Sequence, residues 1–134
     1  MNKKIVFVSV PMRNKTDDMI ERAILIAQKN YLRMTKQHPE DIEFINNHMR
    51  YERIQVPDNA NANVIYLSEA IKKIGNSNEV IFGKDWKYAN GCIIEHEVCV
   101  RYGIKYYEVW KDRALAVMSK LLFFAFTQHE QRLL

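Results

Sequence analysis

Three observations predict an α/β fold with a parallel sheet. Short β-branched and aromatic runs alternate with longer stretches of helical periodicity, and such alternation implies right-handed crossovers between parallel strands. The first run, Lys4–Val10, is continuous rather than alternating, as in a strand buried on both faces. The composition supplies a core: 48% of the 134 residues are hydrophobic, with six Phe, seven Tyr and two Trp against only three Pro and four Gly. That length fits one domain spanning residues 1–134, and that composition excludes a disordered, collagen-like or low-complexity chain.

Each element follows in order. After strand 1, Thr16 caps a helix whose first turn carries Asp17 and Asp18, where negative charge favours the dipole. Ile20, Ala23, Ile24, Ala27, Tyr31 and Met34 share one face of it, and Pro39 bars its continuation. Ile42–Ile45 is a short second strand. Asn46–Asn63 is polar, rich in Asn and interrupted by Pro57 and Asp58; loops this long inside a compact domain are often lids or binding loops. A second helix runs from about Asn63 to Ile74, with Ile65, Leu67, Ala70, Ile71 and Ile74 apolar. Val80–Phe82 is the third strand. Asn90 or a neighbour caps a third helix that reaches Tyr102, with Gly103 at its C′ position. Lys105–Trp110 is a fourth strand, and Asp112 caps a last helix to about Gln131. Four or five strands in the order 2-1-3-4 make a flavodoxin-like three-layer sandwich.

Charge and motif patterns narrow the function. The 20 Lys and Arg exceed the 16 Asp and Glu by a formal net charge of +4. This mild excess is mixed with acids and forms no basic stripe, so no nucleic-acid polymer is expected as a partner. Lys3 and Lys4 precede an apolar run of only six residues, Ile5–Val10, whereas a secretory core needs about 7–15. No window approaches the ~20 apolar residues of a membrane span; the most apolar stretch, Ala114–Phe126, is interrupted by Ser119 and Lys120. Cys92 and Cys99 fall on one predicted helix, where their spacing puts them about 10 Å apart, too far for a disulfide. A reduced, cytoplasmic setting follows. His38, His48, His96 and His129 are scattered, no Cys/His spacing suggests zinc, and no cofactor is expected. No G-x-G-x-x-G follows strand 1 and no G-x-x-x-x-G-K-[ST] occurs, which argues against dinucleotide and P-loop sites. Single acidic residues after strands 1 and 3 do not make a receiver-domain metal site.

In the order 2-1-3-4 the chain reverses direction between strands 1 and 3, and ligands bind at such a switch point beyond the carboxyl ends of the strands. The expected site therefore falls on Ser9–Arg13 and Gly83–Glu95. Glu95 is the sharpest candidate. At about 100° per residue, Cys92, Val98, Cys99 and Tyr102 share an apolar arc that contains Glu95, whereas Glu97 and Arg101 point away and can pair at i,i+4. An inward carboxylate near a helix start must be hydrogen-bonded or functional; a glutamate capped by backbone or bonded to a tyrosine is the structural alternative. Ser9 and Arg13 flank Pro11, and Arg13 can hold a phosphate or carboxylate with both arms or stay solvated. Trp86 and Tyr88 border the cleft, where they can stack a base or sugar or simply cover the core. His96 adjoins Cys92 and reads as a packed histidine. Arg50, Tyr51 and Arg53 can close over an anion or form a solvated loop face.

Strand 1 with Val8-Ser9-Val10-Pro11-Met12-Arg13 resembles the Y-[IV]-S-G-P-M opening of nucleoside 2-deoxyribosyltransferase-like proteins, which include deoxynucleotide N-hydrolases and small phage and bacterial members. The segment from Trp86 to His96 (WKYANGCIIEH) is similar to their W-x-x-S-x-G-x-x-x-E-[HLY] motif, and Ile45-Asn46-Asn47 to the I-N-P after their second strand. The likeness runs from Lys4 to Trp110 in order and spacing. It implies cleavage of the N-glycosidic bond of a nucleoside or nucleotide, with Glu95 attacking the anomeric carbon and water or a second base taking the sugar. It also implies that Ser9, Pro11, Met12, Arg13, Trp86, Asn90 and Gly91 bind substrate, and that subunits assemble so that neighbours complete the site.

The departures matter as much. The family's glycine after Ser9 is Val10, its phosphate- or sugar-binding serine is Ala89, the acid usual on the second helix falls at about Ala70, and the Cys-Asp before strand 3 is Ser77-Asn78. Two function classes stand: an N-glycosidic hydrolase or transferase, and a non-catalytic nucleotide-binding protein that sequesters its ligand; a structural α/β partner protein is a third. The last predicted helix is apolar on nearly every side, through Leu121, Leu122, Phe123, Phe124 and Phe126. A homodimer or higher homo-oligomer through residues 112–132 is therefore expected.

Overall fold

The computed structural model describes residues 2–49 and 54–109. Four strands, β1 (Lys4–Ser9), β2 (Ile42–Asn46), β3 (Glu79–Phe82) and β4 (Lys105–Glu108), form one sheet in the order β2-β1-β3-β4. Every pairing is parallel, with Val6 opposite Phe44 and Glu79, and Val80 opposite Tyr106. Helices α1 (Asp17–Thr35), α2 (Ala62–Gly75) and α3 (Asn90–Tyr102) connect the strands. This is the flavodoxin-like arrangement expected from the sequence.

The continuous run in β1 is explained by burial on both sides. Val6, Val8 and the following Val10 pack on Ile20, Ile24, Ala27 and Tyr31 of α1. Phe7 faces the other way, against Ala70 and Ile74 of α2 and Cys92 and Cys99 of α3. Each such side chain contributes about 1.5–3 kcal/mol by leaving water. No described helix is long and apolar enough to cross a membrane.

The helix ends follow local chemistry. Thr16 Oγ1 accepts from Met19 N at 3.2 Å, and α1 stops at Lys36, whose φ of 57° is left-handed. Met34 is exposed rather than on the buried face. Asn61 Oδ1 caps α2 by accepting from Val64 N at 3.1 Å, slightly earlier than the spacing suggested. Gly103, at φ 69°, ends α3. At its start the cap falls on the neighbour of Asn90: Ala89 holds the cap position without a side-chain bond, and Asn90 is the first helical residue. Tyr102 is 79% exposed, so the buried stripe is Cys92, Glu95 and Cys99 alone; a helix end keeps its face buried only where a neighbour continues to cover it. Trp110, the last predicted helix with its expected oligomer face, and Arg50, Tyr51 and Arg53 lie outside the described residues.

At the carboxyl ends of the central strands the loops are tied together. Gly83 N donates to Ser9 O at 2.8 Å. A Cβ on Gly83 would meet Val10 Cγ1 at 2.7 Å, so the close approach of the two loops requires glycine there.

Candidate functional site

A cavity of about 790 Å³ opens at that end of the sheet. The loop after β1 forms one wall, the first turns of α3 another, and α2 with Asn47 a third. It lies at the switch point between β1 and β3. Glu95 lines it, although only 7% exposed. Ser9 Oγ donates a hydrogen bond to Glu95 Oε2 at 2.6 Å, joining the end of β1 to α3.

Burial pushes the Glu95 carboxyl up to about 7, and the hydrogen bond from Ser9 pulls the other way. The contrast with Glu79 is informative. That carboxylate, buried at the opposite end of β3, accepts from Tyr31 and lies 3.6 Å from Lys4 Nζ and 3.8 Å from Lys105 Nζ. Glu79 thus has a tyrosine hydroxyl and two lysines beside it, whereas Glu95 has a hydroxyl and no basic partner among the described residues. Burial, with the nearby Glu95 charge, also raises the neighbouring thiols, Cys92 to about 12 and Cys99 to about 11, against which a hydrogen bond with Ser9 works at Cys92. Both cysteines are free and buried, and neither offers a thiolate nucleophile near neutral pH.

The start of α3 adds positive potential. Ala89, Asn90, Gly91 and Cys92 line the cavity, and no side chain caps the helix. Its first-turn N–H groups and the positive end of its dipole favour negative charge there. Arg13 and Lys15, both exposed, stand at the same cavity.

Of the residues predicted from sequence, Ser9, Pro11, Met12, Arg13, Asn90, Gly91 and Glu95 come together around the cavity. Trp86 does not line it, a correction to its assignment as a substrate-binding residue. It is 8% exposed and belongs to the α2/α3 core. A short 3₁₀ turn, held by Trp86 N to Gly83 O at 3.3 Å, places the indole against Phe82 and stacks it on His96 with ring centres 4.2 Å apart. Tyr88, 85% exposed, is the aromatic side chain of that turn that borders the cavity. His96 is packed, as expected, among Trp86, Phe82 and Tyr106, with Nε2 3.3 Å from Glu108 Oε1 but not aligned for a hydrogen bond.

Asn47, Asn61, Asn63, Tyr66 and Asp85 also line the cavity; none was singled out from the sequence as a ligand-binding residue, although four of them fall in the Asn46–Asn63 loop and the Gly83–Glu95 segment. Asn47 is held from both ends: its Nδ2 donates to Tyr66 O at 2.9 Å, and its Oδ1 accepts from Lys73 Nζ at 3.1 Å. The available signal was the Asn-rich loop itself, because strand order places the end of β2 beside that of β1. Asp85 takes a left-handed φ of 65°.

The arrangement can hold a sugar-sized polar ligand against a buried carboxyl group. Among the described residues, no three His, Cys, Asp or Glu side chains come together as a metal site. Comparisons with protein-family models, curated proteins and solved structures gave no match.

Proposed function

We propose that the chain is a nucleoside 2-deoxyribosyltransferase-like protein that cleaves the N-glycosidic bond of a nucleoside or nucleotide through Glu95. One observation carries this reading. A buried carboxyl group, oriented by Ser9 and without a basic partner among the described residues, lines a cavity at the strand switch point. Such a group is costly to keep unless it acts. Its ionised form attacks the anomeric carbon. The base departs with the electron pair of the broken bond, and water or a second base then takes the sugar. Arg13 holds a phosphate when the ligand carries one, and a homodimer through residues 112–132 is the expected assembly. Release of free base from a panel of nucleosides and nucleotides, by the wild type and by Glu95→Gln, tests this. The reading requires release by the first and none by the second.

A specific observation favours a second reading. Ala70 and Ala89 line the cavity where the resembled family has an acid and a hydroxyl, and Val10 packs where it has glycine. A protein that binds nucleotides without cleaving them fits those walls. Calorimetric binding with no release of base by the wild type selects it.

A further inference from the structure

We propose that Asp85 is the second catalytic carboxylate of this cavity, the base that deprotonates the water which frees the sugar from Glu95. The inference rests on the hydrolytic reading above. Asp85 and Glu95 are the two carboxylates that line the cavity among the described residues. Both come from the segment that follows β3, one from its loop and one from α3. No other acid lines the α2 wall, where Ala70 stands.

The surroundings of Asp85 suit a base. Glu79, Glu97 and Glu108 each lie beside a basic side chain, whereas the Asp85 carboxylate makes no hydrogen bond or ion pair with a described residue. It is half-buried at the cavity. Its backbone is nevertheless fixed. Tyr88 N donates to Asp85 O at 3.1 Å, and the next residue, Trp86, is locked into the core by its stack on His96. A left-handed φ at a non-glycine residue persists where its surroundings impose it. A firmly held loop thus presents an uncommitted carboxylate to the pocket of a buried one. Retaining glycosidases divide their labour between two such groups.

The chemistry balances. In the first step a Glu95 oxygen bonds to the anomeric carbon, the bond from that carbon to the base nitrogen breaks, and the departing nitrogen takes the electron pair and a solvent proton. In the second step water attacks the same carbon and gives its proton to Asp85. The ester bond to Glu95 breaks, its electron pair returns to the Glu95 carboxylate, and Asp85 releases the proton to solvent.

The test uses the full chain and a nucleoside or nucleotide that the wild type cleaves. Asn tolerates the left-handed region, so Asp85→Asn keeps the loop; Asp85→Gly, which has no penalty there, is the second variant. Both should release one equivalent of base per site in a burst and then turn over at least ~100-fold more slowly than the wild type, the usual scale of general-base catalysis. The sugar adduct should accumulate on Glu95, and azide, which attacks without needing a base, should restore turnover and yield a sugar azide. Turnover within threefold of the wild type in either variant overturns the assignment while leaving the role of Glu95 intact. Loss of the burst in variants with wild-type melting curves overturns it as well, because Asp85 then acts before the sugar is transferred. Absence of base release by the wild type removes the hydrolytic reading and this assignment together.

Discussion

Replacing Glu95 by Gln should change stability in a pH-dependent way that no surface carboxylate would produce. In the folded chain the group is held at about 7 by burial, against an ordinary value of 4.5. Below pH 4.5 the carboxyl is protonated in both folded and unfolded chains and costs nothing. As pH rises through that interval the unfolded chain loses its proton while the folded chain keeps it. Stability therefore falls with pH until the folded group also ionises. The interval corresponds to ~3 kcal/mol at full development. Gln keeps the shape and still accepts from Ser9 Oγ, but it cannot ionise. Glu95→Gln should thus match the wild type near pH 4.5 and exceed it by ~3 kcal/mol at pH 8, which raises the urea midpoint by on the order of 1–2 M. Urea unfolding at half-unit pH steps measures the difference. A stability gap that stays constant from pH 4.5 to 8 would falsify the claim that burial raises this carboxyl. If Glu95 is the nucleophile proposed above, its ionised form is the reactive one, and the rate should climb as pH rises through about 7.

Ser9→Ala removes the bond that holds the Glu95 carboxyl down. The acid limb of the pH–rate profile should move above 7, with a stability loss of about 1–3 kcal/mol from the unpaired buried group; an unmoved limb refutes the role given to Ser9. Arg13→Ala should weaken nucleotide binding by about 1.5–3 kcal/mol, the value of a charge-assisted bond, and leave nucleoside binding nearly unchanged; equal calorimetric losses for both ligands show that Arg13 binds no phosphate. Gly83→Ala places a Cβ 2.7 Å from Val10 Cγ1 and should cost about 1–3 kcal/mol by overpacking, most of it recovered in the Gly83→Ala/Val10→Ala double variant. Light scattering should give at least twice the 15.9 kDa chain mass, and a monomer at micromolar concentration excludes the assembly expected through residues 112–132.

What the sequence disclosed depended on how local its cause was. The β1 run was legible because both of its faces are covered, which leaves no polar position to interrupt it. Glu95 was legible because Cys92 and Cys99, three before it and four after, mark the buried stripe of α3. Trp86 was misassigned because strand order brings a loop to the cleft without saying which way a short turn rotates its side chains. Asn47 was legible only as part of the Ile45-Asn46-Asn47 likeness, because its orientation is fixed by Lys73 and Tyr66, which arrive from α2. Asp85 lay within the expected Gly83–Glu95 segment but was not singled out, because a left-handed backbone and an uncommitted carboxylate leave no periodic trace. The cap of α3 was legible to within a residue: of Asn90 and its neighbours, the turn that begins at Trp86 delivers Ala89 to the cap position.

The proposed reaction requires a covalent bond between Glu95 and the sugar. The most direct measurement is peptide mass spectrometry on the wild type, acid-quenched during turnover of a slow nucleoside or nucleotide substrate. The peptide that contains Glu95 should gain the mass of the transferred sugar, and the same peptide of Glu95→Gln should not. Base release with no adduct on that peptide, at a rate unchanged in Glu95→Gln, would contradict it.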